Sequence, residues 1–391
     1  MQAITIIGSG LAGYTLAREI RKLDKDIALR IITADDGSFY SKPMLSNALA
    51  KNMDAKKLLM TSAKDMAAQL NMDIITHTTA THINRDECTV TTEQTAGKNT
   101  YPYSSLILAN GAQPIRIPVA GDAAEDILSV NSLHDYSIFR AQLENKKHKT
   151  THVTILGAGL IGCEFANDLV TAGYKVSLID LADKPLGRLL PEQAARNLQH
   201  KLGAAGIQWH LGCSLQSIHK TAGQYQLTLN NQEQFNTDLV LSAIGLRADI
   251  RLAEAAGLKT GRGIITNSRL QTSDPYIYAL GDCLEFEGMV LPFVMPIMIG
   301  ARALAKTLLG DNTDVSYPPM PVVVKTPAHP VVVCPPPPDA DGSWQEQIIG
   351  DGIKASYYSQ QKLSGFALTG AAVTEKQKLV KRMQDDAITD G

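Results

Sequence analysis

Two short stretches of this 391-residue chain carry glycines spaced for phosphate chemistry: Gly8-Ser9-Gly10-Leu11-Ala12-Gly13 and Gly157-Ala158-Gly159-Leu160-Ile161-Gly162. In such a stretch the first glycine makes a tight turn and the second leaves room for a diphosphate at a helix N-terminus. The third lets that helix pack on the preceding strand. Roughly twenty residues beyond each stretch comes a carboxylate placed to bind a ribose hydroxyl pair. In the first case it is Asp35, followed by Asp36, and in the second it is Asp180. A lone glycine motif is a weak signal. Strand, glycines, helix, strand and acid in order, met twice, predict two dinucleotide sites. Asp180 also bears on the choice of nucleotide, because a carboxylate accepts the 2′-hydroxyl of NADH and repels the 2′-phosphate of NADPH. NADH is expected, with Lys184 and Arg188 as the nearby residues that argue the other way.

The cysteines offer no relay for electrons. Cys88, Cys163, Cys213, Cys283 and Cys334 are scattered, form no CxxC pair and have no metal-ligand spacing, so no metal is expected and a reducing compartment fits. Cys163 lies in the first turn of the second nucleotide helix, where a dipole can lower a thiol pKa. Its neighbours Gly162, Phe165 and Ala166 read as a buried face, and packing is the favoured role. Cys283 is read the same way. Lys325, set between VVV and TP, is an odd place for a charge and must have a partner, either a bound anion or a carboxylate elsewhere in the chain.

The elements that must position these groups repeat. Residues 3–35 and 152–180 each read strand, glycine turn, helix, strand. Between them lie a helix ending near Leu70, short β-like runs, the strand SLILANG and a helical stretch from Asn131 to Glu144, followed by a basic run, Lys146–Lys149, that contains His148. After the second unit come the helix PEQAARNLQHKLGAAG, hairpin strands, and YIYALGDC, a strand and turn of the kind that completes the first nucleotide site. The second unit therefore reads as inserted into the first. The expected fold is α/β, with two Rossmann-like, three-layer dinucleotide-binding domains and a small α+β domain at the C-terminus. Residues 1–112 and 239–315 form a discontinuous first domain, 113–238 the inserted one and 316–391 the last. Pro335–Pro338 reads as a rigid loop.

Composition narrows the function by exclusion. With 44% hydrophobic and 19% charged residues the chain is an ordinary globular protein. A net charge of −2 provides no global field for nucleic acid or an anionic membrane. The chain enters an apolar strand at once, which predicts no signal peptide and a cytoplasmic protein. Its most apolar later stretch, Met289–Gly310, is broken by Pro292, Pro296, Arg302 and Lys306 and reads as a loop and buried helix.

Taken together, the two glycine motifs, LILANGAQPIRIP and TSDPYIYALGDC resemble the two-dinucleotide flavoprotein reductases that share the glutathione reductase fold. Among these the chain is similar to the rubredoxin–NAD reductases, on YSKPMLS, GAGLIGCEFANDL, IYALGDC, VVVKTPAHP and ALTGAAVTEK, nearly end to end. The resemblance implies FAD at the first site, held by Gly8, Gly10, Leu11, Ala12, Gly13, Asp35, Lys42, Pro43, Ala109, Asn110, Gly111, Asp282 and Lys325. It implies NADH at the second, held by Gly157, Gly159, Leu160, Ile161, Gly162, Glu164, Asp180 and Gly245. Asn110 departs from the family's Ala-Thr-Gly. Catalytic parts fall to Glu164, Lys42 and Lys325. Met44, Leu45 and Ser46 stand where related enzymes carry a redox cysteine, so reduced flavin must serve its acceptor directly. The implied acceptor is rubredoxin, a small acidic iron protein, met by some of Lys42, Lys51, Lys56, Lys57, Lys376, Lys378, Lys381 and Arg382. A ferredoxin or flavorubredoxin reductase, and a slowly turning-over redox signalling protein, are the alternatives.

Overall fold

A computed structural model describes residues 2–146 and 151–388. The basic run after Lys146, with His148, lies outside them. The chain divides into two compact units: one of residues 1–42, 57–113 and 246–317, the other of residues 43–56, 114–245 and 318–391.

The first unit is organised by the strand Ala3–Ile7, all five residues of which are buried. Burial on both faces is the mark of a central parallel strand. It pairs in parallel with Leu29–Ile32 on one side and with the end of Gly97–Leu108 on the other. Asp73–Ile75 extends the sheet outward, Ile277–Ala279 adds a further parallel partner to Gly97–Leu108, and Thr79–Asn84 and Thr89–Gln94 continue it as an antiparallel ribbon. Helices Leu11–Leu23 and Val294–Leu308 bury Leu16, Ile20 and Leu304 in the same core as Ile6, Ile31 and Leu106. Each such side chain contributes about 1.5–3 kcal/mol on leaving water. The apolar stretch from Met289 is thus a loop and a core helix, and among the described residues no helix is long and apolar enough to cross a membrane.

In the second unit a parallel sheet runs Leu128–Ser129, Leu239–Ser242, His152–Leu156, Lys175–Asp180, Ile207–Leu211. A three-stranded antiparallel sheet, Leu215–Thr221, Gln224–Leu229 and Gln234–Thr237, lies in the chain between the strands Ile207–Leu211 and Leu239–Ser242 of that sheet. The C-terminal portion is a five-stranded antiparallel sheet whose central strand, Lys362–Thr369, lies between Val331–Cys334 and Gly352–Ser359. Helix Lys376–Ile388 covers it through Leu379, in one apolar cluster with Phe366 and Leu368. Helix Glu192–Ala204 meets this sheet through polar contacts. The Glu346 carboxylate accepts from Gln193 N and Ala194 N at 3.2 and 3.1 Å, and His329 Nε2 donates to Asn197 Oδ1 at 2.6 Å. A carboxylate on two free amides at a helix start satisfies donors that the helix itself cannot.

Residues 43–56, which sequence alone attaches to the first domain, pack in this second unit. Leu49 N and Ala50 N donate to Asp168, and Arg140 donates to Met53 O and Asn52 Oδ1. These partners lie 87 to 119 residues away in the chain, beyond the reach of any local pattern.

Candidate functional site

At the first glycine turn Gly8 has φ +112°, and a Cβ there would stand 2.3 Å from Ala109 O. A Cβ on Gly13 would stand 2.0 Å from Gly8 O, so helix and strand are in backbone contact. Gly10 differs, for a Cβ on it would meet nothing within 4 Å. It is the N-cap of helix Leu11–Leu23, with no side-chain cap and no acid in the first turn. The helix therefore presents uncapped amides and its positive end to open space, an arrangement suited to a diphosphate. Asp35 closes this side. Its Oδ1 accepts from Ser9 Oγ, Thr33 Oγ1 and Gly37 N at 3.0, 2.7 and 2.9 Å, which leaves Oδ2 for a ligand hydroxyl.

The crossover after Leu108 belongs to the same unit. Asn110 donates from Nδ2 to Asp249 O at 2.6 Å, while its Oδ1 is buried without a partner among the described residues. Gly111 has φ +75°. Asp282 follows Gly281, at φ +88°; burial pushes its carboxyl up and the Lys42 ammonium draws it down. Cys283 is wholly buried, donates to Leu108 O at 3.3 Å, and its thiol is pushed up to about 12 by burial.

The second turn repeats the first. A Cβ on Gly157, at φ +102°, would lie 2.6 Å from Ala243 O, and one on Gly162 would lie 1.8 Å from Gly157 O. A Cβ on Gly159 would again find open space, at a helix N-cap with no side-chain cap and no acid in the first turn. Leu160 is half-buried, Ile161 exposed, and Gly245 has φ +116°. Asp180 accepts from Ala158 N at 2.5 Å and Ala182 N at 2.7 Å, so the acid braces the turn itself. At both turns the cradle and its acid fit a dinucleotide.

Three polar side chains of helix Leu160–Thr171, those of Glu164, Asn167 and Asp168, have the spacing that places them on one face. All are buried, and each holds another segment of the unit. Asp168 takes Leu49 N and Ala50 N, and burial raises its carboxyl despite those bonds. Asn167 accepts from Ala328 N at 3.1 Å. Glu164, 0% exposed, accepts from Lys325 N at 2.8 Å through Oε1, and from Ser46 Oγ and Lys325 Nζ, both at 2.5 Å, through Oε2. The structure thus gives Lys325 a carboxylate partner, while 29% of the lysine side chain stays in contact with solvent. Ser46 and Asp168 were not legible as participants. Ser46 is visible in sequence only as a residue that cannot carry a thiol, and Asp168 reads as an ordinary helix acid.

Cys163 is fully buried with its thiol donating to Ala158 O, and burial pushes its pKa upward, against any activation by the helix dipole. All five cysteines are free. Among the described residues no group of three or more His, Cys, Asp or Glu is arranged to hold a metal ion. Of the basic residues, Lys51, Lys56, Lys57, Lys378, Lys381 and Arg382 are exposed and Lys42 and Lys376 half-buried, as is the neighbouring Pro43. Arg382 lies over the Tyr358 ring at 5.3 Å.

Comparison with known proteins agrees with this geometry. Residues 2–301 match the pyridine nucleotide-disulphide oxidoreductase family, and residues 314–383 match the rubredoxin binding C-terminal domain. The chain belongs to this oxidoreductase family and carries that C-terminal domain. It is 47% identical to the rubredoxin-NAD(+) reductase of Acinetobacter baylyi, over 99% of both chains. It is also 47% identical to the rubredoxin-NAD(+) reductase of Alcanivorax borkumensis, over 98% of this chain and 99% of that one. Among solved structures, a ferredoxin reductase from Rhodopseudomonas palustris superposes with a TM-score of 0.86 at 25% identity, over 96% of this chain and 93% of the other.

Proposed function

We propose that this chain oxidises NADH and delivers the electrons singly to rubredoxin, with FAD at the first glycine turn and NADH at the second. The observation that carries this reading is the pair of open glycine cradles, each with its own acid, in one chain with a rubredoxin-binding C-terminal domain. When bound, FAD supplies the chemistry that accepts two electrons as a hydride and releases them one at a time.

The chain's own residues bind and orient. Gly8, Gly10, Leu11, Ala12 and Gly13 receive the FAD diphosphate on the helix N-terminus, and Asp35 Oδ2 accepts from a ribose hydroxyl. Asp282, to which no hydrogen bond is donated among the described residues, is suited to accept from the ribityl chain. Ala109, Asn110 and Gly111 shape the flavin's flank, with Lys42 and Pro43. Gly157, Gly159, Leu160, Ile161 and Gly162 take the NADH diphosphate, with Asp180 at its ribose and Gly245 at the crossover. Lys325, whose place Glu164 and Ser46 fix, would supply positive charge to the bound flavin. Buried thiols with raised pKa values are poor nucleophiles, which supports transfer to the acceptor without a cysteine relay. A cytoplasmic location suits five unpaired cysteines.

The purified protein is expected to be yellow, and one equivalent of NADH added anaerobically should bleach its visible absorption, which rubredoxin then restores. A colourless protein that binds no added FAD would overturn the reading.

A further inference from the structure

The loop after Asp180 is bound to the second glycine turn from both sides. Asp180 holds Ala158 N, and Leu186 N donates to Ala158 O at 2.9 Å. Residues 181–186 are thereby fixed beside the space over Gly159, and any cation among them bears on what that space admits. Lys184 is the cation there, and it is occupied. Its Nζ lies 2.6 Å from Glu192 Oε2, on the first turn of helix Glu192–Ala204. The other Glu192 oxygen takes Arg196 Nε at 2.9 Å, and Arg196 reaches Asp183 Oδ2, also at 2.9 Å. Two acids and two bases form a neutral ladder that leaves neither base free for a phosphate.

Resting on the proposed NADH site, we infer that Glu192 is a specificity-determining residue: by occupying Lys184 it withholds a cation of the turn-bound segment 181–186 that would otherwise help to neutralise a 2′-phosphate. Asp180 repels that phosphate directly, and Glu192 removes the Lys184 share of its compensation, leaving exposed Arg188 outside the ladder. The ladder is solvent-exposed at Glu192 and Asp183, so breaking it has little effect on the fold. The helix start keeps its Glu346 cap in the absence of the Glu192 charge.

The test uses the FAD-loaded full chain and calorimetric binding of ADP-ribose and 2′-phospho-ADP-ribose, which separates recognition from turnover. Wild type is expected to bind ADP-ribose and to discriminate against the phosphorylated form. Glu192→Gln should tighten binding of the phosphorylated ligand by about 5–10-fold, the scale of one unmasked charge at a solvated site, and change ADP-ribose by less than about 2-fold. In Lys184→Gln/Glu192→Gln the gain should disappear. A Glu192→Gln protein with no gain, or a gain that survives loss of Lys184, overturns the inference while leaving the NADH site intact. Failure of wild type to bind ADP-ribose overturns the NADH site itself.

Discussion

Glu164 and Lys325 form a 2.5 Å ion pair in which the carboxylate is wholly buried and the lysine is not. Removing the cation strands a carboxylate with Ser46 Oγ and one backbone amide as its only remaining donors among the described residues. Breaking a buried pair from one side costs ~3–5 kcal/mol. Lys325→Met should therefore lower the unfolding free energy measured in urea by an amount near the lower end of that range, since the lysine is partly solvated. Glu164→Gln/Lys325→Met should recover most of it. A double variant no more stable than Lys325→Met would show that the pair is not the unit of stability.

The glycines separate folding from binding. Gly162→Ala drives a methyl to 1.8 Å from Gly157 O and should destabilise the protein by at least about 1–3 kcal/mol, the range for overpacking. Gly159→Ala meets nothing within 4 Å and should leave the urea midpoint unchanged while raising the KM for NADH about tenfold or more, because its methyl occupies diphosphate space. Equal losses of stability in the two variants would contradict this division.

Electron delivery should be indifferent to thiols. Cys163→Ala removes a buried group and is expected to cost about 1–2 kcal/mol of stability, yet rubredoxin reduction by the folded protein should stay within about 2-fold of wild type. Thiol alkylation of the native enzyme should be equally silent. A rate lost in step with alkylation of Cys163 or Cys283 would restore a cysteine relay.

Asp282 sets a pH dependence in the flavin-free protein. Burial is the main cause of its raised pKa, opposed by Lys42. A carboxyl that holds its proton more tightly when folded contributes stability below its unfolded pKa of about 3.9 and loses it as pH rises through the folded value. Asp282→Asn should therefore be more stable than wild type at neutral pH, with the difference vanishing as pH falls toward 4. Denaturation curves on flavin-free protein across that window decide it, and a difference that grows toward acid would contradict the assignment.

The two nucleotide cradles were legible because each is contiguous: turn, helix start and acid lie within about thirty residues of one another and follow local rules. The expected helices near Leu70 and over Asn131–Glu144 are Ala63–Leu70 and Leu133–Asn145 in the structure, for the same reason. What local pattern does not encode is pairing at long separation. That the Lys325 charge ends on Glu164, 161 residues earlier, follows only from the packed helix face that also holds Asn167 and Asp168. The attachment of residues 43–56 to the second unit rests on the same face, so a reading that assigns domains by contiguity places that segment elsewhere. Lys184 shows the converse: its sequence position argues for NADPH, and its charge is taken up by Glu192, the first residue of the next helix.

The central claim is that the chain passes electrons from NADH directly to rubredoxin, and steady-state NADH oxidation with rubredoxin, a ferredoxin, a flavorubredoxin or oxygen alone, at low and high ionic strength, tests it most directly. The account predicts fast reduction of rubredoxin that slows as salt screens the encounter between exposed basic side chains and an acidic partner, with little activity toward the others. Slow turnover with every acceptor, or a ferredoxin or flavorubredoxin preferred over rubredoxin, would contradict it.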